Sequence, residues 1–242
     1  MTGDGAFRFG SFFNVDSMLT IALAKGRLQD AIFRRLAAAD VSVDWDALGT
    51  RKLLVEDASK RYNFLLVKPG DVPIYVERGV ADVGVCGRDV LLESSPDVHE
   101  PLDLGFGYCR LVVAGKPDSA VRTSNFLSKL RVATKYPRVA MRHFHERATP
   151  VEIIPLTGSV EIAPLLNLSD CIVDIVETGR TLEENGLVIL EEIAEVTARC
   201  IANRASFQLR RAELLNLFAA LKGNDAGAAA RVKEAYGNIS CE

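Results

Sequence analysis

CIVDIVETGRTLEENGL, residues 171–187, packs a strand, a loop and a helix into one short stretch. CIVDIV is an apolar run interrupted by one acid, Asp174, and reads as a buried strand. TLEEN (181–185) reads as a short helix, with Gly186 as its stop. Between them lies ETGRT. Gly179 lets the backbone turn and approach a ligand closely. The N–H groups of Thr178, Gly179, Arg180 and Thr181 would converge at the helix start, which is an anion site. The hydroxyls of Thr178 and Thr181 add donors. Asp174 and Glu177 lie too near to bind that anion themselves, but are placed to take the hydroxyls of a sugar attached to it. A 5-phosphoribose fits this arrangement. A plain capped helix, with Thr as its cap, fits the same spacing, and spacing does not choose between the two.

Strand-then-helix grammar extends in both directions. Strands are predicted at 18–24, 62–68, 81–87, 109–115, 130–136, 151–156 and 171–176, with one further strand-like run over 193–202. Helices are predicted over 28–40, 71–80, 137–148 and 159–168, with another opened by RDVLLES. Residues 117–130 read as a loop and short helix. SFQLRRAELLNLFAALKG (206–223) reads as a final amphipathic helix capped by Ser206. Such alternation implies an α/β fold with mostly parallel sheets. Ligands of such sheets bind at the strands' carboxyl ends.

Composition narrows the class. The chain has 242 residues, 48% hydrophobic and 25% charged, enough for one large or two small domains. The net charge of −3 gives no general attraction to nucleic acid or membrane. Five cysteines without a CxxC pair, several inside apolar runs, read as reduced thiols of a cytoplasmic protein. His143 and His145 lack the partner set of a zinc site. Residues 1–17, MTGDGAFRFGSFFNVDS, read as a flexible arm rather than a signal peptide, and no stretch is long enough to span a membrane.

Cations nonetheless recur beside the strands: Lys25 and Arg27 after the first, Arg51 and Lys52 before the second, Lys68 at its end, Lys135, and Arg180. Arginine forks and lysine ammonium groups suit phosphate oxygens, and the set points to a phosphate-rich ligand. In ADVGVCGRDVL (81–91), Gly84 and Gly87 allow either close approach to a ligand or tight strand–helix packing. Asp89 opens the helix that follows. In LTGSVEIAPLL (156–166), Gly158 and Ser159 stand at a helix start. Glu161 in its first turn favours the helix dipole.

Six motifs now stand in order: LAKGRL (23–28), TRKL (50–53), DVPIYVERGVADVGVCGRDVL (71–91), RVATKYP (131–137), LTGSVEIAPLL and DIVETGRTLEENGL. Together they closely resemble the ATP phosphoribosyltransferase family, over about residues 18–210. The resemblance implies an α/β fold of two domains like type II periplasmic binding proteins, with the active site in the interdomain cleft. Domain I would span 18–106 plus 190–242, and domain II 107–189. It implies transfer of phosphoribose from phosphoribosyl pyrophosphate to N1 of ATP, with release of pyrophosphate, in histidine biosynthesis.

Residue roles are implied by the same likeness. Arg27 and Arg51 would hold the departing pyrophosphate, Arg27 across a dimer interface. Thr178, Gly179, Arg180 and Thr181 would hold the 5-phosphate, and Asp174 and Glu177 the ribose hydroxyls, with Ser159 and Glu161 in a neighbouring loop. Lys25, Lys68, Asp89, Cys109 and Lys135 would line the ATP and pyrophosphate region. Mg2+ would be held mainly by pyrophosphate oxygens, and no metal-ligand motif is visible in the chain. About forty residues follow the last strand, too few for the regulatory domain of long-form members, so the short form is expected. That form works as a homodimer with a histidyl-tRNA-synthetase-like regulatory subunit, in a hetero-octamer.

One other enzyme reading and two non-enzyme readings compete. A phosphoribosyltransferase acting on another base would usually carry two adjacent acids before the loop, whereas Ile175 and Val176 separate Asp174 from Glu177. A catalytically dead paralogue conflicts with the presence of Arg27, Arg51 and the full ETGRT loop. A solute-binding or ligand-sensing module of the same fold predicts an export signal or a DNA-binding helix pair, and neither is visible.

Overall fold

The computed structural model describes residues 18–38, 41, 52–118 and 129–222, without the side chain of Arg27. The expected N-terminal arm, Arg51, most of the loop-and-helix at 117–130 and the C-terminal tail lie outside the described residues. Two sheets organise the rest. The first has the order β2 (Leu54–Glu56), β3 (Tyr62–Val67), β1 (Leu19–Ala24), β4 (Val83–Gly87), β11 (Ala198–Ala202), β5 (His99–Asp103). The second has the order β10 (Val188–Val196), β6 (Cys109–Gly115), β9 (Cys171–Val176), β7 (Leu130–Thr134), β8 (Val151–Pro155). Helices α1 (Arg27–Ala37), α2 (Val72–Glu77), α3 (Arg88–Ser94), α4 (Pro137–Glu146), α5 (Ile162–Leu165), α6 (Arg180–Glu184), α7 (Arg204–Leu209) and α8 (Arg211–Lys222) cover them. None is long and apolar enough to cross a membrane.

The sheets are mixed rather than mostly parallel. Strands β3, β1 and β4 run parallel, as do β8, β7 and β9, while β2, β11 and β5 in the first sheet and β6 and β10 in the second pair antiparallel. Strands β2 and β5 escaped the sequence reading because each is short and half exposed. The run at 193–202 is two strands of different sheets, parted at Thr197, with β10 already begun at Val188. An expected division at residue 189/190 therefore falls within β10, whose whole length pairs with β6.

Local chemistry explains other differences. Ser206 is not a cap. Asn203, in extended conformation, accepts from the amides of Ala205 and Ser206 at 3.0 and 3.1 Å and so starts α7 there. Ser206 instead donates its hydroxyl to Asp82. A break at Arg210 then separates α7 from α8. The helix expected over 159–168 shortens to α5, because Ser159 and Asn167 both take positive φ. The helix expected over 71–80 becomes α2, preceded by a 3-10 turn at Pro69–Asp71 and stopped where Gly79 turns left-handed.

Each sheet carries apolar clusters on both faces, as strands buried on two sides require. Leu19, Ile21, Phe33, Phe64 and Phe218 meet on one face of the first sheet. Ala22, Val72, Val76 and Ile201 meet on the other. Gly84 decides how closely α2 approaches β4. A Cβ there would lie 2.7 Å from methyl groups of both Val72 and Val76. Of the two readings left open for this glycine, tight packing is the one the geometry satisfies.

Candidate active site

Parallel strands set the site. Because β8, β7 and β9 run the same way, their carboxyl ends share one edge of the second sheet. They deliver the loop before α5, the Thr134–Tyr136 turn and the ETGRT loop to that edge. Cys109 opens the antiparallel strand β6 on the same side, opposite Val196 and next to β9. A pocket of about 320 Å³ forms there, lined by Cys109, Glu161 and the continuous run Asp174 to Leu182.

Eight of the residues singled out in the sequence thus share one pocket: Cys109, Glu161, Asp174, Glu177, Thr178, Gly179, Arg180 and Thr181. Gly179 has φ +85 and precedes α6, which explains why a glycine stands there. The Arg180 amide donates weakly to the Thr178 hydroxyl at 3.4 Å. The Arg180 side chain is 82% exposed and pairs with Glu184 one turn on, at 2.8 Å. First-turn amides lack intrahelical acceptors, so this end of α6 presents donors to the pocket.

Asp174 is buried at the floor of the pocket. Burial pushes its carboxyl up, while the Lys135 ammonium at 3.2 Å and the Ile175 amide at 2.8 Å pull it down. Glu161 adds a smaller upward push. The net shift is upward, so the ionised form is held at a cost that a donor from a ligand hydroxyl would relieve. Lys135, expected in the ATP and pyrophosphate region, is therefore directly engaged with the Asp174 carboxylate.

Other assigned residues lie elsewhere. Ser159 is exposed beside the pocket, in the loop leading to Glu161, with φ +48. Lys25 and Lys68 are exposed at the carboxyl ends of β1 and β3 in the first sheet, and line no part of this pocket. Asp89 is buried at the start of α3, where its carboxylate accepts from the Tyr136 hydroxyl at 2.7 Å. Arg27 begins α1 at the end of β1, and its side chain, like all of Arg51, is outside the described residues. Sequence reasoning missed Tyr136 and Glu93, which join the two sheets beside Lys135. Their signal was faint: one aromatic before Pro137, and one glutamate among several in a helix.

Two α/β lobes, with a glycine turn and a buried carboxylate lining one pocket at a sheet edge, have the form of a small-molecule-binding protein. The family model described as "HisG: ATP phosphoribosyltransferase" matches residues 68–223. An ATP phosphoribosyltransferase of Caldanaerobacter subterraneus subsp. tengcongensis is 50% identical over 205 residues, covering 85% of this chain and 96% of the relative. One from Clostridioides difficile is 49% identical, covering 82% and 94%. This chain belongs to the ATP phosphoribosyltransferase family. Among solved structures, the ATP phosphoribosyl transferase (HisG:HisZ) complex from Thermotoga maritima superposes with TM-score 0.74 at 35% identity, over 90% of this chain and all of that one. The periplasmic aliphatic sulphonate binding protein SsuA of Escherichia coli superposes with TM-score 0.52 at 14% identity, over 90% of this chain and 77% of that one. The last likeness is one of fold, and it is the two-lobed fold that the six motifs implied.

Proposed function

We propose that this chain transfers the phosphoribosyl group of phosphoribosyl pyrophosphate to N1 of ATP, giving phosphoribosyl-ATP and pyrophosphate, in the cytoplasmic synthesis of histidine. One observation carries the reading: the ETGRT turn and Asp174 line a single pocket in a member of this family. The 5-phosphate rests on the amides and hydroxyls of Thr178, Gly179, Arg180 and Thr181. Asp174 and Glu177 take the ribose diol.

Adenine N1 carries a free lone pair, so no base is needed to create the nucleophile. The bond from N1 to C1 forms as the bond from C1 to the pyrophosphate oxygen breaks, and its electrons leave with the pyrophosphate. Positive charge gathers on the ribose in the transition state. Asp174, already held ionised at a cost, interacts more favourably with that charge than with the ground state. Arg27 and Arg51 receive the leaving group, with Lys25 and Lys68 on the facing sheet edge. Described residues gather no set of three side chains able to ligate a metal. Mg2+, when bound with the substrate, would be held mainly by pyrophosphate oxygens and would supply charge neutralisation to the leaving group.

The two sheets are read as two domains, the first built from strands that come both before and after those of the second in the described sequence. The Thermotoga relative forms a complex of HisG and HisZ, which supports a partner subunit for this chain; the family likeness makes that subunit regulatory and the assembly a hetero-octamer built on a dimer of this chain. The deciding experiment follows ultraviolet absorbance of the purified chain with ATP, phosphoribosyl pyrophosphate, Mg2+ and inorganic pyrophosphatase. The expected result is a rise from N1-substituted adenine that requires both substrates. No rise, together with tight binding of an unrelated solute, would replace the enzyme by a binding module.

A further inference from the structure

The Thr134–Tyr136 turn is fastened at both ends, and Lys135 is the residue between the fastenings. On one side, the Thr134 hydroxyl donates to the carbonyl of Val173 at 2.6 Å and accepts from the Tyr136 amide at 2.8 Å. That stitches the turn to β9 one residue before Asp174. On the other side, the Tyr136 hydroxyl donates to buried Asp89, at the start of α3 in the first lobe. Gly87 makes room for this carboxylate, since a Cβ there would lie 2.1 Å from Asp89 Oδ1.

Glu93, one turn further along α3, completes the attachment. Pro137 opens α4 and has no amide to offer, so the first free donors are Arg138 and Val139. The Glu93 carboxylate accepts from both, at 3.0–3.1 Å. It is thus an N-terminal cap supplied by the other lobe. Arg138 also donates its guanidinium to the Ser94 carbonyl, and Leu92 packs against the second lobe's core. Between these anchors the Lys135 ammonium lies 3.2 Å from Asp174 and 5.6 Å from the Tyr136 ring centroid.

We propose that Asp89, Glu93 and Tyr136 form an interlobe latch that positions Lys135 against Asp174, and thereby sets affinity for the ribose end of phosphoribosyl pyrophosphate. They are positioning residues, acting through Lys135 rather than on substrate. The inference rests on the phosphoribosyl reading of the pocket. It also gives buried Asp89 a role other than lining the ATP site. Loosening the latch frees the ammonium to leave the carboxylate, so the diol meets a less ordered partner.

A double-mutant cycle tests this. Phosphoribosyl pyrophosphate with Mg2+ is titrated calorimetrically into the wild type, Tyr136→Phe, Lys135→Ala and the double variant, with urea midpoints recorded for each. Tyr136→Phe is expected to raise the dissociation constant roughly tenfold, about the factor given by losing one hydrogen bond to a charged group. In the Lys135→Ala background the same change should add less than about twofold. Glu93→Gln, which keeps the side chain's shape, should repeat the pattern and serves if Tyr136→Phe does not fold. Equal weakening in both backgrounds, or no weakening in either, overturns the latch. A wild type that binds no phosphoribosyl pyrophosphate removes the pocket assignment itself, a result visible before any variant is compared.

Discussion

Gly84→Ala tests the packing reading of a glycine that could equally have served a ligand. The new methyl would lie 2.7 Å from Val72 Cγ1 and Val76 Cγ2, and 3.3 Å from Ile201 Cγ1. Carbon atoms rest about 3.5–4.0 Å apart, so both valines must retreat by roughly 1 Å. Valine in a helix has essentially one χ1 well, so the methyl groups cannot swing aside and α2 itself must lift from β4. Overpacking of this kind costs about 1–3 kcal/mol. For a chain of this size, about 2 kcal/mol lowers the thermal midpoint by roughly 4–8 °C. Urea unfolding followed by circular dichroism measures the loss, and the N1-adenine absorbance assay at 25 °C measures function. The expected outcome is a lower urea midpoint with kcat and both KM values nearly unchanged. Adding Val76→Ala, which removes one of the two overlapped groups, should recover part of the loss. An unchanged midpoint with collapsed substrate affinity would refute the packing argument and return Gly84 to the ligand.

Asn203→Ala removes a cap to two amides and a donor to the Val76 carbonyl at 2.8 Å, and should cost about 2–3 kcal/mol by urea unfolding. Arg180→Ala deletes an exposed side chain paired only locally with Glu184. Its urea midpoint should not move, while calorimetric affinity for phosphoribosyl pyrophosphate falls about tenfold or more. Asp174→Asn should separate stability from function. Burial raises the Asp174 pKa above its unfolded value, so its contribution to stability is full below the unfolded pKa and is lost as pH rises through the folded one. Urea midpoints from pH 4 to 8 should therefore show Asp174→Asn gaining on the wild type as pH rises, while its affinity for phosphoribosyl pyrophosphate falls.

Much of the site was legible because its residues are contiguous. Asp174 to Thr181 lie on one strand, one turn and one helix start, and local geometry is enough to bring them together. Strands such as β1, β4, β6 and β9 were legible as unbroken apolar runs between turn residues. What escaped depended on distant partners. Strand β2 is only Leu54–Glu56, with two of its three residues exposed, and exists because β3 offers it an edge. Asn203 competes with Ser206 as a cap, and wins because the Ser206 hydroxyl is claimed by Asp82 across the fold. Lys135 could be read as one more cation near phosphate. Its pairing with Asp174 required knowing that β7 and β9 are neighbours. The Glu93 cap on α4 joins residues 45 and 46 positions apart in different lobes, and no periodicity records such a bond.

The order of strands has a consequence for synthesis of the chain. Among the described residues, the second sheet is built from residues 109–196, whereas β11, residues 198–202, is inserted between β4 and β5 of the first. A ribosome that has released residue 196 has made every described strand of the second sheet. Until β11 emerges, β4 and β5 have no strand to join them, and their inward edges stand as open templates for neighbouring chains. The lobe whose first strands are made earliest is thus closed last, and a nascent chain paused between residues 196 and 202 is the form most exposed to mispairing.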